Sequence, residues 1–253
     1  MTVMKARLLG KDIYDDFDPS YDKDEHFDTL KSLGKHLGIS TLVSPVCGFT
    51  NTIVNGTDRL NLTVEFGIHR SIKLADGAIL DMCNEGVVIF NADCPVIGVM
   101  DRVQRQLAVL HGGFRCLIPE KPRRGPRPKG IIQTLFENFA FDPVRCQAFF
   151  GFGIGPCCYG AEHLRELDDD LTLDLPIGRA TRGARKGQRS IDLYELIHGQ
   201  LVAAKLRPES ISWNARCTAC AGTHFPNEPK YHSHTRQAGN AGRNASIIWM
   251  ADK

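Results

Sequence analysis

The chain has 253 residues, longer than one average domain and shorter than two, which admits a single large α/β domain or a closely fused pair. Its 42% hydrophobic and 24% charged residues suit a globular protein with a sizeable core and exclude collagen-like, low-complexity and wholly disordered classes. With 31 Lys and Arg against 29 Asp and Glu the formal charge is +2, so no global field argues for nucleic acid or an acidic membrane, and any electrostatic function is local.

Residues 1–22 are acidic and aromatic without a period, and read as an irregular arm with room for one short strand, ahead of a single domain over 23–253. No basic-then-apolar leader opens the chain, so the expected location is the cytoplasm. Phe27, Leu30, Leu33 and Leu37 then recur at helical spacing behind Asp22 and Asp24, and Gly38 suits the stop. From Ser40 to Leu110, short apolar runs broken by Gly, Asn and Asp predict strands at Thr41 to Val43, Asn61 to Phe66, Val87 to Phe90, Pro95 to Met100 and Gln106 to Leu110. The longest apolar stretch, Gly86 to Met100, is interrupted by Asn91, Asp93 and Pro95 and falls short of the roughly 20 residues of a spanning helix. It reads as a buried pair of strands, and no membrane partner is expected.

Lys121 to Lys129 holds five basic residues and three prolines, too stiff and charged for a regular element. Without interleaved aromatics it reads as a solvated loop, so nucleic acid is not expected as a partner. Ile131 or Ile132, Leu135 and Phe139 space as a helical face, and Gln147 to Phe152 reads as a strand ending in glycines. Ser190 can cap a helix whose stripe is Leu193, Ile197, Leu201 and Ala204, and Ala245 to Trp249 is a final strand. Strands and helices alternate without strict βαβ regularity, which predicts a mixed α/β or α+β fold of mixed sheets flanked by helices.

Nine cysteines is an odd number and reads as reduced thiols rather than a disulfide frame. Cys217-x-x-Cys220 followed by His224, His232 and His234 has zinc-ligand types, but the single residue between His232 and His234 is shorter than a finger uses, so a reduced thiol pair is expected there. Those two are also the only His-x-His pair, which under-supplies multicopper chemistry. Gly151 to Pro156 imitates a dinucleotide loop, yet its G-x-G-x-G spacing and proline make it a turn.

Asn91 to Arg115 carries most information. Two strands joined by a short turn would bring Cys94, at the start of the first, near His111, at the end of the second. A thiolate and an imidazole suit a zinc ion or a nucleophile and base pair, while a buried thiol and a structurally bonded histidine would leave the same pattern.

Asn91-Ala92-Asp93-Cys94-Pro95 resembles the T-A-D-C-x-P motif, and His111-Gly112-Gly113-Phe114-Arg115 the H-A-G-W-R motif, of the laccase-domain family, also called polyphenol oxidase or bacterial purine nucleoside phosphorylase. Ile154 to Tyr159 is similar to its I-G-P-C-C-Y stretch, the helix near Asp192 to its D-L…Q-L segment, and Cys217 to Cys220 with Gly242-Arg243 complete the series. The resemblance implies a fold of mixed sheets, similar to that of Cys-His deamidase toxins, and a zinc, rather than copper, at the rim of a pocket. It further implies phosphorolysis of purine nucleosides such as adenosine and inosine, with adenosine deamination as a side activity; a monomer or small homo-oligomer is expected. By matching motif, Cys94 and His111 become two zinc ligands. The family's third ligand is a histidine in Q-V-H-G, and the matching stretch here is Pro45-Val46-Cys47-Gly48, so Cys47 takes that position, with His69 as the alternative. Zinc accepts either donor, but a second thiolate makes a weaker Lewis acid. Arg115, four residues past His111 in a glycine-rich turn, and Arg243, which follows Gly242, are the expected phosphate and substrate contacts. The same residues allow two rivals. One is a metal-free hydrolase or deamidase with Cys94 as nucleophile, His111 as base and the Gly112 or Gly113 amide as oxyanion hole. The other is a degenerate member that binds a nucleoside without turnover.

Overall fold

The computed structural model describes residues 2–9, 23–56, 62–65, 67–119, 126–160, 175–182, 186–220, 231–237 and 242–252. The chain opens with β1 (Thr2–Leu9) and α1 (Lys23–His36). The strands β2 (Thr41–Val46), β3 (Ile53–Asn55), β4 (Leu62–Glu65), β5 (Ile68–Leu74) and β6 (Gly77–Leu80) follow. Then come β7 (Glu85–Asn91), β8 (Val96–Asp101) and β9 (Gln106–His111), with the short helices α2 (Phe114–Leu117) and α3 (Ile131–Asn138) behind them. The last part holds β10 (Cys146–Gly151), β11 (Ile177–Arg179), β12 (Arg189–Ile191), α4 (Leu193–Ala203), β13 (Ile211–Asn214), α5 (His234–Gln237) and β14 (Asn244–Asp252).

Two mixed six-stranded sheets result, ordered β1-β14-β7-β2-β5-β4 and β13-β10-β8-β9-β6-β3, and β11 pairs β12 apart from them. Alternation along the strands shows how they stack. On β14, Ile248 and Met250 join Met100 of β8 and Val109 of β9 between the sheets, while Ile247 and Trp249 turn to a second cluster with Leu30 of α1. On β8, Val96 and Met100 face the first sheet, whereas Ile97 and Val99 face a third cluster built with α2, α3 and α4. Because both faces of these strands are covered, their sequences are continuous apolar runs rather than alternating ones. The layers are helix, sheet, sheet, helices, which is the mixed architecture the sequence predicts.

Each strand and helix expected from the pattern is present within the described residues, with longer bounds in places. Gly38 follows α1 at φ +74, a conformation that glycine takes without a Cβ clash and that ends a helix. One expectation needs correction, the cap of α4, and two strands rest on long-range pairing. The strand for which the opening segment has room is Thr2–Leu9, which pairs antiparallel with β14 along its whole length, from Thr2↔Asp252 to Leu9↔Ala245, while the rest of 1–22 lies outside the described residues. Its fit depends on an edge some 240 residues away, which a local pattern does not contain. The cap of α4 is Asp192, whose side chain accepts from the Tyr194 and Glu195 amides; Ser190 is already committed to β12. The strand β5, IHRSIKL, has no regular alternation and leaves Ile72 and Leu74 exposed, so only its pairing between β2 and β4 makes it a strand. Of the basic loop, 121–125 lie outside the described residues, while Arg127 donates to the Pro119 carbonyl and Lys129 pairs with Glu137. Among the described residues no helix is long and apolar enough to cross a membrane.

Candidate functional site

The sheets deliver their functional side chains to one end. β8 and β9 form the expected hairpin, with Val96 opposite His111, so Cys94 sits just beyond the last pair. A Cβ on Gly113 would meet Cys94 Sγ and His111 Cε1 at 3.2 Å each, which places both around one small space. β2 runs parallel to β7, with Val43 opposite Val87, and its carboxyl end delivers Cys47 to the same place. Asp76 immediately precedes β6, whose Gly77 pairs with Leu110, so the carboxylate faces His111. Donor atoms of Cys47, Asp76 and His111 all lie within 4.8 Å of one another. The carboxyl ends of strands are where open α/β sheets gather ligands, because loops leave there in different directions.

Asp76 is fully buried and His111 is 5% exposed. His111 Nδ1 donates to Asp76 Oδ1 at 3.0 Å, and its backbone amide donates to the Asp76 carbonyl at 2.7 Å. The carboxylate also accepts from the Gly48 amide at 3.3 Å, the Thr50 amide at 2.5 Å and the Thr50 hydroxyl at 3.1 Å. Burial would raise the Asp76 pKa, but these donors and the His111 charge outweigh it and hold it at about 2. Burial would equally lower that of His111. The opposing charges of Cys94 and Cys47 and the bond to Asp76 prevail, so the imidazole titrates well above its ordinary range. With Nδ1 fixed by a carboxylate, Nε2 is the nitrogen left for chemistry, the arrangement that orients metal-bound and catalytic histidines alike. Cys116 Sγ lies 3.6 Å from His111 Nδ1, but burial pushes its thiol up to about 12 and keeps it protonated. Phe49, half exposed at φ 56, tilts its ring over His111 at 5.4 Å between centroids.

The turn after β7 is fastened by Asp93, whose carboxylate accepts from the Thr218 hydroxyl at 2.7 Å, the Ser233 hydroxyl at 3.0 Å and the Thr235 amide at 2.7 Å. Its carbonyl takes the Ile154 amide at 2.6 Å, docking the glycine turn 151–156 beside Cys94. Asn91 adds bonds to the Cys94 and Phe152 carbonyls at 2.8 and 2.7 Å. That turn is packed loop, as its spacing implies.

Arg115 is exposed on α2, four residues past His111, and its charge reaches Tyr159, whose hydroxyl also feels Cys94 and Asp93 and is raised chiefly by burial. Arg243 opens the approach to β14, whose Asn244 pairs with Asn91, so it too borders the Cys94 turn. His69 is different. It pairs with Val43 whereas Leu74 pairs with Val46, so it sits at the far end of β5 from Cys47, about 16 Å along the strand. The Gly112 amide donates to the Pro95 carbonyl at 2.7 Å, which removes it as an oxyanion donor and leaves Gly113 of the two. Asp76 was the residue that sequence reading passed over: only its place just before an apolar strand, between Ala75 and Gly77, could have flagged it.

The sequence profile of the multi-copper polyphenol oxidoreductase laccase family matches residues 32–251. The purine nucleoside phosphorylase YlmD of Bacillus subtilis (strain 168) is 26% identical over 185 residues, 73% of this chain and 62% of that protein. The purine nucleoside phosphorylase YlmD of Geobacillus stearothermophilus is 34% identical over 197 residues, 77% of this chain and 66% of that one. The chain thus spans less than two thirds of the length of these curated relatives. The crystal structure of YlmD from Geobacillus stearothermophilus shares the fold with a TM-score of 0.71 at 20% identity, covering 99% of this chain and 92% of that chain. With a profile that runs through both sheets and the Cys94 to His111 hairpin, this chain belongs to the multi-copper polyphenol oxidoreductase laccase family.

Proposed function

We propose that this protein cleaves purine nucleosides with phosphate, adenosine and inosine being the substrates and the free base and ribose 1-phosphate the products. The observation that carries the proposal is the buried Asp76–His111 pair at 3.0 Å, set against Cys47 and Cys94 at the sheet ends, in a family whose relatives bear the name purine nucleoside phosphorylase. Cys47, Cys94 and His111 would hold a metal: two sulfurs and an imidazole suit zinc rather than copper, and the donors of Cys47 and His111 already lie within 4.8 Å of each other in a group with Asp76 that does not include Cys94. Bound zinc would polarise an oxygen or activate water, which accounts for adenosine deamination as a side activity. Asp76 fixes the His111 tautomer with Nδ1–H toward the carboxylate, which leaves the Nε2 lone pair for the ion. Arg115 and Arg243, flanking the Cys94 turn, hold the phosphate beside the ribose as the glycosidic bond loosens toward an oxocarbenium-like state.

Incubation of metal-analysed protein with adenosine and inosine, with and without phosphate, tests this. Base and ribose 1-phosphate should form only with phosphate, and no product, or base release indifferent to phosphate, would overturn it. Arg115→Ala should lower phosphate-dependent cleavage at least tenfold, about 1.4 kcal/mol of transition-state binding, with metal retained. Cys47→Ala should lose zinc while His69→Ala keeps it.

The same Asp76–His111 bond favours a second reading, a metal-free hydrolase with Cys94 as nucleophile, His111 as base, Asp76 as orienting carboxylate and the Gly113 amide at the oxyanion. Fast alkylation of Cys94 near neutral pH in metal-free, active protein supports that reading, and chelator-sensitive activity supports zinc.

A further inference from the structure

Four cysteines gather away from Asp76 and His111. β10 and β13 run parallel as neighbours, with Phe149 opposite Ser212 and Gly151 opposite Asn214, so both release their following loops at the same end of the sheet. One loop carries Cys157 and Cys158 and the other Cys217 and Cys220, and the four sulfurs all lie within 4.8 Å of one another, with Cys157 and Cys220 at 3.6 Å. Each is a free thiol, and 3.6 Å far exceeds a disulfide bond.

We propose that Cys157, Cys158, Cys217 and Cys220 form a tetrahedral four-sulfur site for one zinc ion that clasps the loops after β10 and β13. A zinc bonded to four sulfurs at about 2.3 Å has sulfur–sulfur edges of about 3.8 Å, close to what the thiols already adopt. An iron–sulfur cluster needs room for inorganic sulfide at the centre, and sulfurs this close leave none. Adjacent cysteines reach one ion because Cys157 and Cys158 lie on a turn, the Cys158 and Tyr159 amides both donating to the Gly155 carbonyl at 3.1 Å, instead of on an extended strand where they would point apart. Gly155 itself is the point of close approach: a Cβ there would stand 3.2 Å from Cys217 Cβ and 3.4 Å from Cys157 Sγ. Both turns are held from outside the cluster. The Thr181 and Arg182 amides donate to the Cys157 carbonyl at 2.9 and 2.8 Å, and Arg236 donates to the Ala219 and Thr218 carbonyls at 2.8 and 3.3 Å. Arg236 thereby sets a positive charge beside four thiolates that with zinc carry a net charge of −2. Binding releases four thiol protons to solvent and changes no oxidation state. Thr218, between two of the ligands, is the hydroxyl that bonds Asp93, so the clasp braces the turn carrying Cys94 without touching substrate.

Metal content per chain, measured on protein purified anaerobically, tests the site. Cys157→Ser with Cys158→Ser, and separately Cys217→Ser with Cys220→Ser, should each lose one zinc relative to wild type, and the same loss should appear when His111→Ala is the background. Where a double variant does not fold, titration of His111→Ala with a mercurial reagent, carried to the end point of all nine thiols, should release one zinc. Cobalt substitution of His111→Ala protein should give the intense sulfur-to-metal band of a four-thiolate tetrahedral site. Unchanged zinc in both double variants, complete thiol titration without metal release, or iron with acid-labile sulfide in wild type would overturn the proposal. Nucleoside turnover does not enter any of these readouts, so failure of the proposed reaction leaves the metal count to decide on its own.

Discussion

At the scale of the residue, the decisive side chain is Asp76. It is buried, takes three donors from the loop at Gly48 to Thr50, and fixes His111 from behind. Folding lowers its pKa from about 3.9 in an unfolded chain to about 2, so the unfolded chain takes up the proton first as pH falls. The stabilisation is therefore complete above about pH 4, amounts to about 2 kcal/mol, and is lost as pH falls through 2. Asp76→Asn should show that loss at pH 7 in urea unfolding of chelator-treated protein, and the gap to wild type should close toward pH 2. The same variant should lower kcat of the proposed phosphorolysis more than it raises KM, because a neutral amide neither raises the basicity of the imidazole nor fixes its tautomer. An unaltered kcat would remove Asp76 from the chemistry.

At the scale of the element, the glycine turn after β10 and the turn after β7 are locked together. A Cβ on Gly153 would stand 2.5 Å from Pro95 Cγ and 2.7 Å from Pro95 N, and the Gly153 amide and carbonyl both bond the Tyr194 hydroxyl. Backbone at that distance does not yield as a flexible side chain would. Gly153→Ala should thus cost about 1–3 kcal/mol in thermal or urea unfolding and shift the rate of Cys94 alkylation; wild-type values for both would show that the two turns move apart freely. The elements themselves were largely legible. The stretches Val87 to Phe90, Val96 to Met100 and Ile247 to Trp249 are apolar runs because helices cover one face and a sheet the other, and such runs announce buried strands. The hairpin that brings Cys94 to His111 was legible for a local reason too, since a short turn between two strands leaves one pairing. Strand β5 was not: its residues lack a period, and neighbours on both sides supply the pairing.

At the scale of the whole molecule, the first and last strands close one sheet against each other. β1 covers the outer edge of β14, a strand buried along all but its last residue, and buries Leu9 completely. Deleting residues 2–9 should uncover that edge, lower the melting temperature by several degrees and promote aggregation visible by light scattering; a monodisperse protein of unchanged melting temperature would show that β14 needs no cover. The sequence by itself determined the mixed α/β class, the Cys94 to His111 hairpin and the family, since periodicity, turn residues and motif spacing act over short stretches of chain. Only the tertiary structure decided that Asp76 stands behind His111, that Cys47 shares their space while His69 lies at the other end of its strand, and that Cys157 and Cys158 meet Cys217 and Cys220 across 60 positions. Those meetings are set by strand order and register, which arise from the packing of two whole sheets and leave no trace in any local pattern.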